Sequence, residues 1–443
     1  MAYNEVGGEP MAISRRSFLA ATGAATSVIA ITGCGGSGGG GGGGTVTFLV
    51  DNDPNNIAAT ESLIAAFNES QSDYEFAMET RPGGTEGDNL VKTRLSTQDM
   101  PDAFSYNSGS LFQAIRPAQN LLDLSDQPWV SRLAESFPDS VSADGKIFGA
   151  PHGGSNSGGI WYHKPTYEEL GLEVPLTWDD FIANAEAAKS AGKHGVIQSY
   201  GDTYTSQFLV LADYHNVATA NPDFAEQYTA NEVGFADDPT AFKSFEHVEQ
   251  ITKEGLVNED YVSTTLEQAL AYLATGEGAH FPFFASGISE IEANHPDSLE
   301  DVGFFALPGD DAATNGLTVW LPNGIYIPGT AENPDAAKAF LAFVASAEGL
   351  AAMAEGAQPT GPYMLTDVPL PDDVPTAIRE LQTYFDTEGA TTPALEFVSP
   401  VKGPNLENIL IELGTGSIDA KTAAQRYDQD VEKQAQQLGL EGW

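Results

Sequence analysis

The sequence predicts an α/β fold arranged as two lobes, and three observations carry that expectation. Short apolar runs with strand character alternate with amphipathic helical stretches along the chain. The chain has 443 residues, 41% of them hydrophobic, which is more than one core usually holds. After residue 44 no low-complexity linker separates one half from the other, so the chain is expected to pass between the lobes more than once.

The elements follow in order. Thr45 to Val50 (TVTFLV) reads as a buried strand, and Leu63, Ile64 and Phe67 share one helical face just after it. Tyr74 to Met78 alternates like a second strand, and Pro101-Asp102-Ala103-Phe104 opens a third. Thr177-Trp178-Asp179-Asp180 has the spacing of a capping box, with Phe181, Ala185 and Ala188 on the face behind it and Gly192 as the stop. Gly195 to Gln198, Ala279 to Phe283 and Val302 to Leu307 read as further strands. Asn333-Pro334-Asp335 offers an N-cap, a first-turn proline and an early acid ahead of the stripe Ala336, Ala337, Phe340, Leu341, Val344. From about Leu406 the chain reads as helical.

Charge limits the possible partners. Lys and Arg total 19 against 63 Asp and Glu, a formal net charge of −44. Phosphate backbones would be repelled, so nucleic acid is excluded as an expected partner. Aromatic residues make up 10% and apolar periodicity persists, which argues for a folded protein with a carboxylate-coated surface rather than a disordered one. Such a surface repels itself at low salt, whereas at molar salt the Debye length falls to roughly 3 Å. The composition therefore predicts a halophile's protein, most of all a haloarchaeon's.

The N-terminus reads as an export signal. Arg15 and Arg16 precede a mild apolar segment, Phe18 to Thr32, which is too short for a good membrane span and resembles a Tat signal; either Met1 or Met11 could be the start. Ile31-Thr32-Gly33-Cys34 resembles a lipobox, with Cys34, the sole cysteine, as the lipidation site. Gly35 to Gly44 is glycine throughout except Ser37, a flexible tether of roughly 15–20 Å r.m.s. reach.

Several segments together resemble one family. Asp144-Gly145-Lys146-Ile147-Phe148-Gly149-Ala150-Pro151 is similar to a "DGKxYGxP" turn, and Gly159 to Lys164 to a strand ending in "YNK", with His163 in place of Asn. Tyr167 to Gly171 followed by Pro175 to Phe181 resembles "LGLxxPxTWDEF". Thr275 to Ala279 resembles "xGxAAM", with His280 in place of Met. Val302 to Gly309, Asn333 to Gly349 and Gly356 to Pro359 complete the set in family order. The resemblance is to family 1 extracellular solute-binding proteins of ABC importers, the maltose-binding-protein-like group.

That resemblance implies a periplasmic-binding-protein-like fold. Each lobe is then a mixed sheet flanked by helices, joined by a hinge of several crossings and closing on a ligand. The implied division is residues 1–33 as signal, 34–44 as lipidated cysteine and tether, 45–152 with 320–360 as the first lobe, and 153–319 with 361–443 as the second. The implied function is capture of a sugar or oligosaccharide for delivery to the permease subunits of an ABC transporter. The protein would be a monomer held to the outer face of the cytoplasmic membrane by lipid, with no cofactor and no metal.

A sugar needs side-chain hydrogen bonds for its hydroxyls and aromatic faces for its C–H surfaces. In α/β lobes the cleft lies at the carboxyl ends of strands. The candidates are therefore Asp51, Asn52 and Asp53 after the first strand; Tyr106 and Asn107; His152, Ser155 and Asn156 near the first expected crossing; and Tyr200 and Asp202. Phe283 and Phe284, Trp320 and Asn323 near the second crossing, and Tyr363 complete the set. Trp161, Tyr162 and Trp178 are expected to be structural.

Two alternatives stay open: a receptor for another small polar solute, such as a polyamine or an anion, and an extracellular carbohydrate-active hydrolase. A glycosidase needs two carboxylates across a cleft, and among 63 acids such a pair discriminates nothing. The sequence has no G-x-S-x-G, no H-E-x-x-H and no P-loop.

Overall fold

The computed structural model describes residues 45–440, 442 and 443. The twin arginines, Cys34 and the glycine run lie outside the described residues. Twelve strands are described: β1 (Thr45–Asp51), β2 (Glu75–Arg81), β3 (Ala103–Tyr106), β4 (Ser142–Ala143), β5 (Lys146–Ile147), β6 (Gly149–Pro151), β7 (Asn156–His163), β8 (His280–Phe284), β9 (Val302–Phe305), β10 (Leu317–Trp320), β11 (Gly324–Tyr326) and β12 (Thr391–Pro393).

Two five-stranded mixed sheets organise them. The first runs β2-β1-β3-β11-β6, with β1 parallel to β2 and β3, and β11 antiparallel to β3 and β6. In the second, β7 is central. It pairs antiparallel with β8 along one edge and with β10 and β9 along the other, and β12 lies parallel to β10. The small β4–β5 hairpin stands apart. Each sheet is flanked by helices, so the molecule is α/β and two-lobed.

Burial explains the placement. In β1, Val46, Phe48, Leu49 and Val50 are buried on both faces, the pattern of a strand covered by helices on each side. The helix Pro54–Ser70 buries Leu63, Ile64 and Phe67, and it packs on the helix Ala347–Gly356. Phe340 lies between Phe76, Phe67 and Phe48 at ring-centroid distances of 4.4, 5.3 and 5.2 Å. In the second lobe the helices Leu406–Gly414 and Ala420–Leu438 pack on Pro239–Lys253.

The chain passes between the sheets three times. It leaves the first sheet between β6 and β7, returns between β10 and β11, and leaves again after the helix Ala347–Gly356, reaching the helix Thr376–Phe385 packed on β9. The crossings are stitched by backbone bonds: His152 N donates to the Asn323 carbonyl at 2.9 Å and Ser155 N to the Pro362 carbonyl at 2.8 Å. The strands run so close here that a Cβ on Gly154 would stand 2.4 Å from the Gly361 oxygen.

Several details depart from the sequence reading. Gly195 to Gln198 forms no strand; it makes a single bridge, Val196 to Val257, beside that of His194 to Gly278, because Asn258 and His280 supply its remaining hydrogen bonds. The second strand sits later than expected, reaching Arg81. Thr177 caps its helix as anticipated, but Asn333 makes no side-chain cap; its backbone N instead donates to Asp102 Oδ1 at 2.7 Å. Both unusual histidines have structural work. His163 caps the helix Lys164–Leu170 through Nδ1. His280 bridges the Gly195 carbonyl and the Tyr167 hydroxyl at 2.6 Å each, and burial lowers its pKa to about 4.

Candidate functional site

Between the lobes lies a cavity of about 800 Å³. One rim comes from the first lobe: Asp53, Asn55 and Asn56 at the start of the helix Pro54–Ser70, and Met353 to Gly356 at the end of the helix packed on it. The facing rim comes from the second lobe: Tyr204, Phe283 at the end of β8, and Ser289, Glu290 and Glu292 on the helix Gly287–Asn294. His152 to Gly154, with Gln358 to Thr360 and Tyr363, on two of the crossings, form the floor.

The first rim is built from a tight set of local hydrogen bonds. Asp53 caps its helix, its Oδ1 accepting from Asn55 N and Asn56 N at 2.9 and 3.2 Å. Asp51 Oδ1 accepts from Asp53 N and Asn56 Nδ2 at 3.1 and 2.9 Å, and Asn52 Oδ1 accepts from Gly83 N at 3.2 Å. Each carboxylate keeps a second oxygen with no bond among the described residues, so the turn presents fixed acceptors, Asp53 at this cavity and Asp51 at a smaller one beside it.

A second cavity, about 380 Å³, opens at the carboxyl ends of β1, β2 and β3 and is lined by Asp51, Arg81, Gly83, Asp88, Asn107 and Asn323 among others. Arg81 is buried there. It donates to the Ser105 and Pro82 carbonyls, sits 6.0 Å from the Tyr106 ring centroid, and leaves Nε without a partner. The Tyr106 hydroxyl bonds Asp88, and burial raises the phenol well above its usual range.

The hinge histidine is unusual. His152 Nδ1 pairs with Ser105 Oγ at 2.9 Å, while Nε2 is shielded and has no partner. Burial lowers its pKa to about 4, so the ring is neutral at pH 7. Tyr363 also lines the cavity, and burial pushes its phenol up to about 12.

The structure thus brings Asp53, His152, Phe283 and Tyr363 together on the large cavity, and Asp51, Asn107 and Asn323 on the adjoining one. Asn52 and Tyr106 support these walls through Gly83 and Asp88. Others lie elsewhere. Ser155 is buried and bonded to Pro362, and Asn156 is engaged with Ser286. Tyr200 is buried against Tyr261 inside the second lobe, and Asp202 accepts from Leu266 N at 2.7 Å. Phe284 packs edge-on to Trp320, whose indole donates to Glu396 at 2.8 Å, beside a small separate cavity.

Residues outside the expected set also line the cleft: Asn55, Asn56, Tyr204, Glu290, Glu292, Gln358 and Thr360, with Arg81 and Asp88 next door. Arg81 was accessible by the same rule that selected Asp51, since it ends a strand. Tyr204 lies four residues beyond Tyr200, in the short 3-10 helix Thr203–Gln207, and is 43% exposed.

Two sheets, three crossings and a polar, aromatic cavity between them define a two-lobed ligand-binding protein. The chain belongs to the bacterial extracellular solute-binding protein family, whose model matches residues 51–351. It is 24% identical over 243 residues to a multiple sugar-binding protein of Streptococcus mutans, covering 52% of this chain and 54% of that one. It is 24% identical over 303 residues to a melibiose/raffinose/stachyose-binding protein of Bacillus subtilis, covering 66% and 68%. An ABC transporter extracellular-binding protein of Pyrococcus horikoshii is 29% identical over 258 residues, covering 58% of each chain. The chain thus spans little more than half the length of the first relatives it matches. Among solved structures, the Bacillus subtilis protein msme in an open conformation superposes with a TM-score of 0.75 at 18% identity, covering 90% of this chain and 99% of that one. The apo form of RafE from Streptococcus pneumoniae superposes with a TM-score of 0.74 at 17% identity, covering 90% and 100%. These likenesses establish the fold.

Proposed function

We propose that the chain captures a sugar or oligosaccharide in the interlobe cavity and presents it to the permease of an ABC importer, without chemistry on the ligand. The observation that carries this reading is the lining: the rings of Tyr204, Phe283 and Tyr363 share one cavity with the amides of Asn55, Asn56 and Gln358 and the carboxylate of Asp53. Ring faces suit sugar C–H surfaces, and amides and carboxylates suit hydroxyls. Relatives that bind multiple sugars or melibiose, raffinose and stachyose support the ligand class.

The site residues we propose are Asp53, Asn55, Asn56, His152, Tyr204, Phe283 and Tyr363, with Asp51, Arg81 and Asn107 in the adjoining cavity. The proposed division places 45–152 with 320–360 in the first lobe and 153–319 with 361–443 in the second. The twin-arginine segment supports Tat export, and Cys34 followed by glycines supports a lipid anchor. The net charge of −44 supports a halophilic setting.

A polyamine is the second reading. Asp53, Glu290, Glu292 and Glu355 line the large cavity with no Lys or Arg among its lining residues, which also speaks against an anion there. A thermal-shift screen in molar KCl separates the readings. A ligand at 100 times its Kd adds about 2.7 kcal/mol of stability. The sugar reading expects a shift with an oligosaccharide; a shift with polyamines and none with sugars would overturn it. For the anchor, Cys34→Ala should move the protein from the membrane fraction to the medium, and unchanged membrane retention would refute it.

A further inference from the structure

Away from the cleft, the second lobe holds a cavity of about 220 Å³, room for roughly seven waters. Its walls come from three segments. Asp213 and Asn216 stand at the start of the helix Tyr214–Ala220, and Thr219 and Ala220 at its end. Thr240, Lys243 and His247 recur at helical spacing on one face of the helix Pro239–Lys253. Gly309, Asp310, Asp311 and Thr314 follow β9.

Two lining groups are deeply buried, and each keeps one polar atom without a partner among the described residues. Asp213 is 1% exposed; its Oδ1 accepts from Asn216 Nδ2 at 2.7 Å, while Oδ2 has no partner. His247 is 6% exposed and stacks on Trp178 at 3.7 Å between ring centroids, and its Nδ1 has no partner. Lys243 does not fill the gap, because its ammonium pairs with Asp310. Buried polar atoms are rarely left unpaired, and each one costs free energy until something meets it.

The charges select the guest. Asp213, Asp310 and Asp311 face one Lys243; Asp310 pairs with it, so ionisation of Asp213 leaves two carboxylates without a cation. Among the described residues no three His, Cys, Asp or Glu groups are arranged to hold a metal ion. A compact guest with several N–H donors fits better: one donor for Asp213 Oδ2, one for His247 Nδ1, and others for the threonine hydroxyls and Asp311. We propose that this cavity is a second binding site, for a small protonated amine, separate from the interlobe cleft. Burial pushes the Asp213 carboxyl up to about 8, while the Asn216 hydrogen bond and then Lys243 favour its ionised form. Burial, then Lys243, lower His247 to about 3, which keeps its ring neutral. With Asp310 and Asp311 as the other charged groups in the cavity, an ammonium should bind more tightly as pH rises toward 8.

The test is ligand-observed NMR titration of methylammonium chloride into the full-length protein in molar NaCl. Wild type is expected to show saturable binding. Asp213→Asn keeps the shape and the Asn216 contact and should weaken binding at least tenfold. Ala220→Phe, an exposed position at the mouth, should weaken it as well and decides the matter if the first variant does not fold. Tyr204→Ala, in the interlobe cleft, should leave it unchanged. Absence of saturable binding, or wild-type affinity in both cavity variants, would overturn the proposal. So would loss of binding in Tyr204→Ala alone, which would move the amine to the cleft, and so would Asp213-dependent binding of Ca²⁺ or Zn²⁺ that displaces methylammonium.

Discussion

The two rims of the large cavity are built on opposite plans. On the first-lobe rim, Asp53 holds the backbone of Asn55 and Asn56, and the Asn56 amide is tied to Asp51, so the polar groups facing the cleft are fixed before any ligand arrives. On the second-lobe rim, the groups are rings and carboxylates with few such ties. Tyr204 is 43% exposed, and among the described residues Glu290 accepts only from Asn294 Nδ2, at 3.3 Å. A preset polar rim loses little freedom on binding, whereas an exposed ring must be ordered by the ligand. The contrast suggests that the first lobe sets which hydroxyls are read and that the second lobe closes over them.

The largest effect is expected where the second rim is also core. Phe283 lines the cavity but is buried against Phe281 and Phe208 at centroid distances of 5.3 and 4.8 Å. Phe283→Ala should cost about 3–5 kcal/mol of folding stability, read by denaturant unfolding. A loss below about 1 kcal/mol would show that the ring belongs to the site rather than to the fold.

Acid should loosen the same rim next. β8 begins at His280, whose ring is buried between Gly195 and Tyr167 with a pKa of about 4 against the usual 6.5. The unfolded chain takes up this proton first as pH falls. His280 therefore supports the fold fully above about 6.5, and that support fades as pH drops toward 4. Of the drop across this window, which the buried His152 and His247 share, His280 should supply up to about 3 kcal/mol, so the drop should be smaller in His280→Gln. Equal slopes in the two proteins between pH 7 and 4.5 would remove His280 from the account.

Much of this contrast was readable from sequence, for a physical reason. Asp53, His152 and Phe283 stand just past the ends of β1, β6 and within the end of β8, where the rule about strand carboxyl ends looks. The rule failed at Tyr200 because Gly195 to Gln198 is not a strand, so its end marks no rim; the chain turns on through the Ser199–Thr205 hydrogen bonds and delivers Tyr204 instead. Glu290 and Glu292 could not be picked from 63 acids, because only the third dimension separates a carboxylate facing a cleft from one facing water. The pairings that engage Ser155 and Asn156 likewise join residues 130 or more positions apart.

The smallest structural effects give the cleanest separation of the rims. Asp53→Ala removes a helix cap and should cost about 1 kcal/mol of stability, together with weaker ligand binding. Tyr204→Ala removes an exposed ring and should change stability by no more than about 0.5 kcal/mol. It should still weaken sugar binding by about 0.5–1.5 kcal/mol, up to roughly tenfold in Kd. Calorimetric titration of the two variants, with unfolding curves measured alongside, checks both. If the ring supplies contact only after closure, Tyr204→Ala should act mainly by speeding ligand release. Equal release rates in Tyr204→Ala and wild type would mean that the second rim is as preset as the first, and the difference between the lobes would then lie in composition alone.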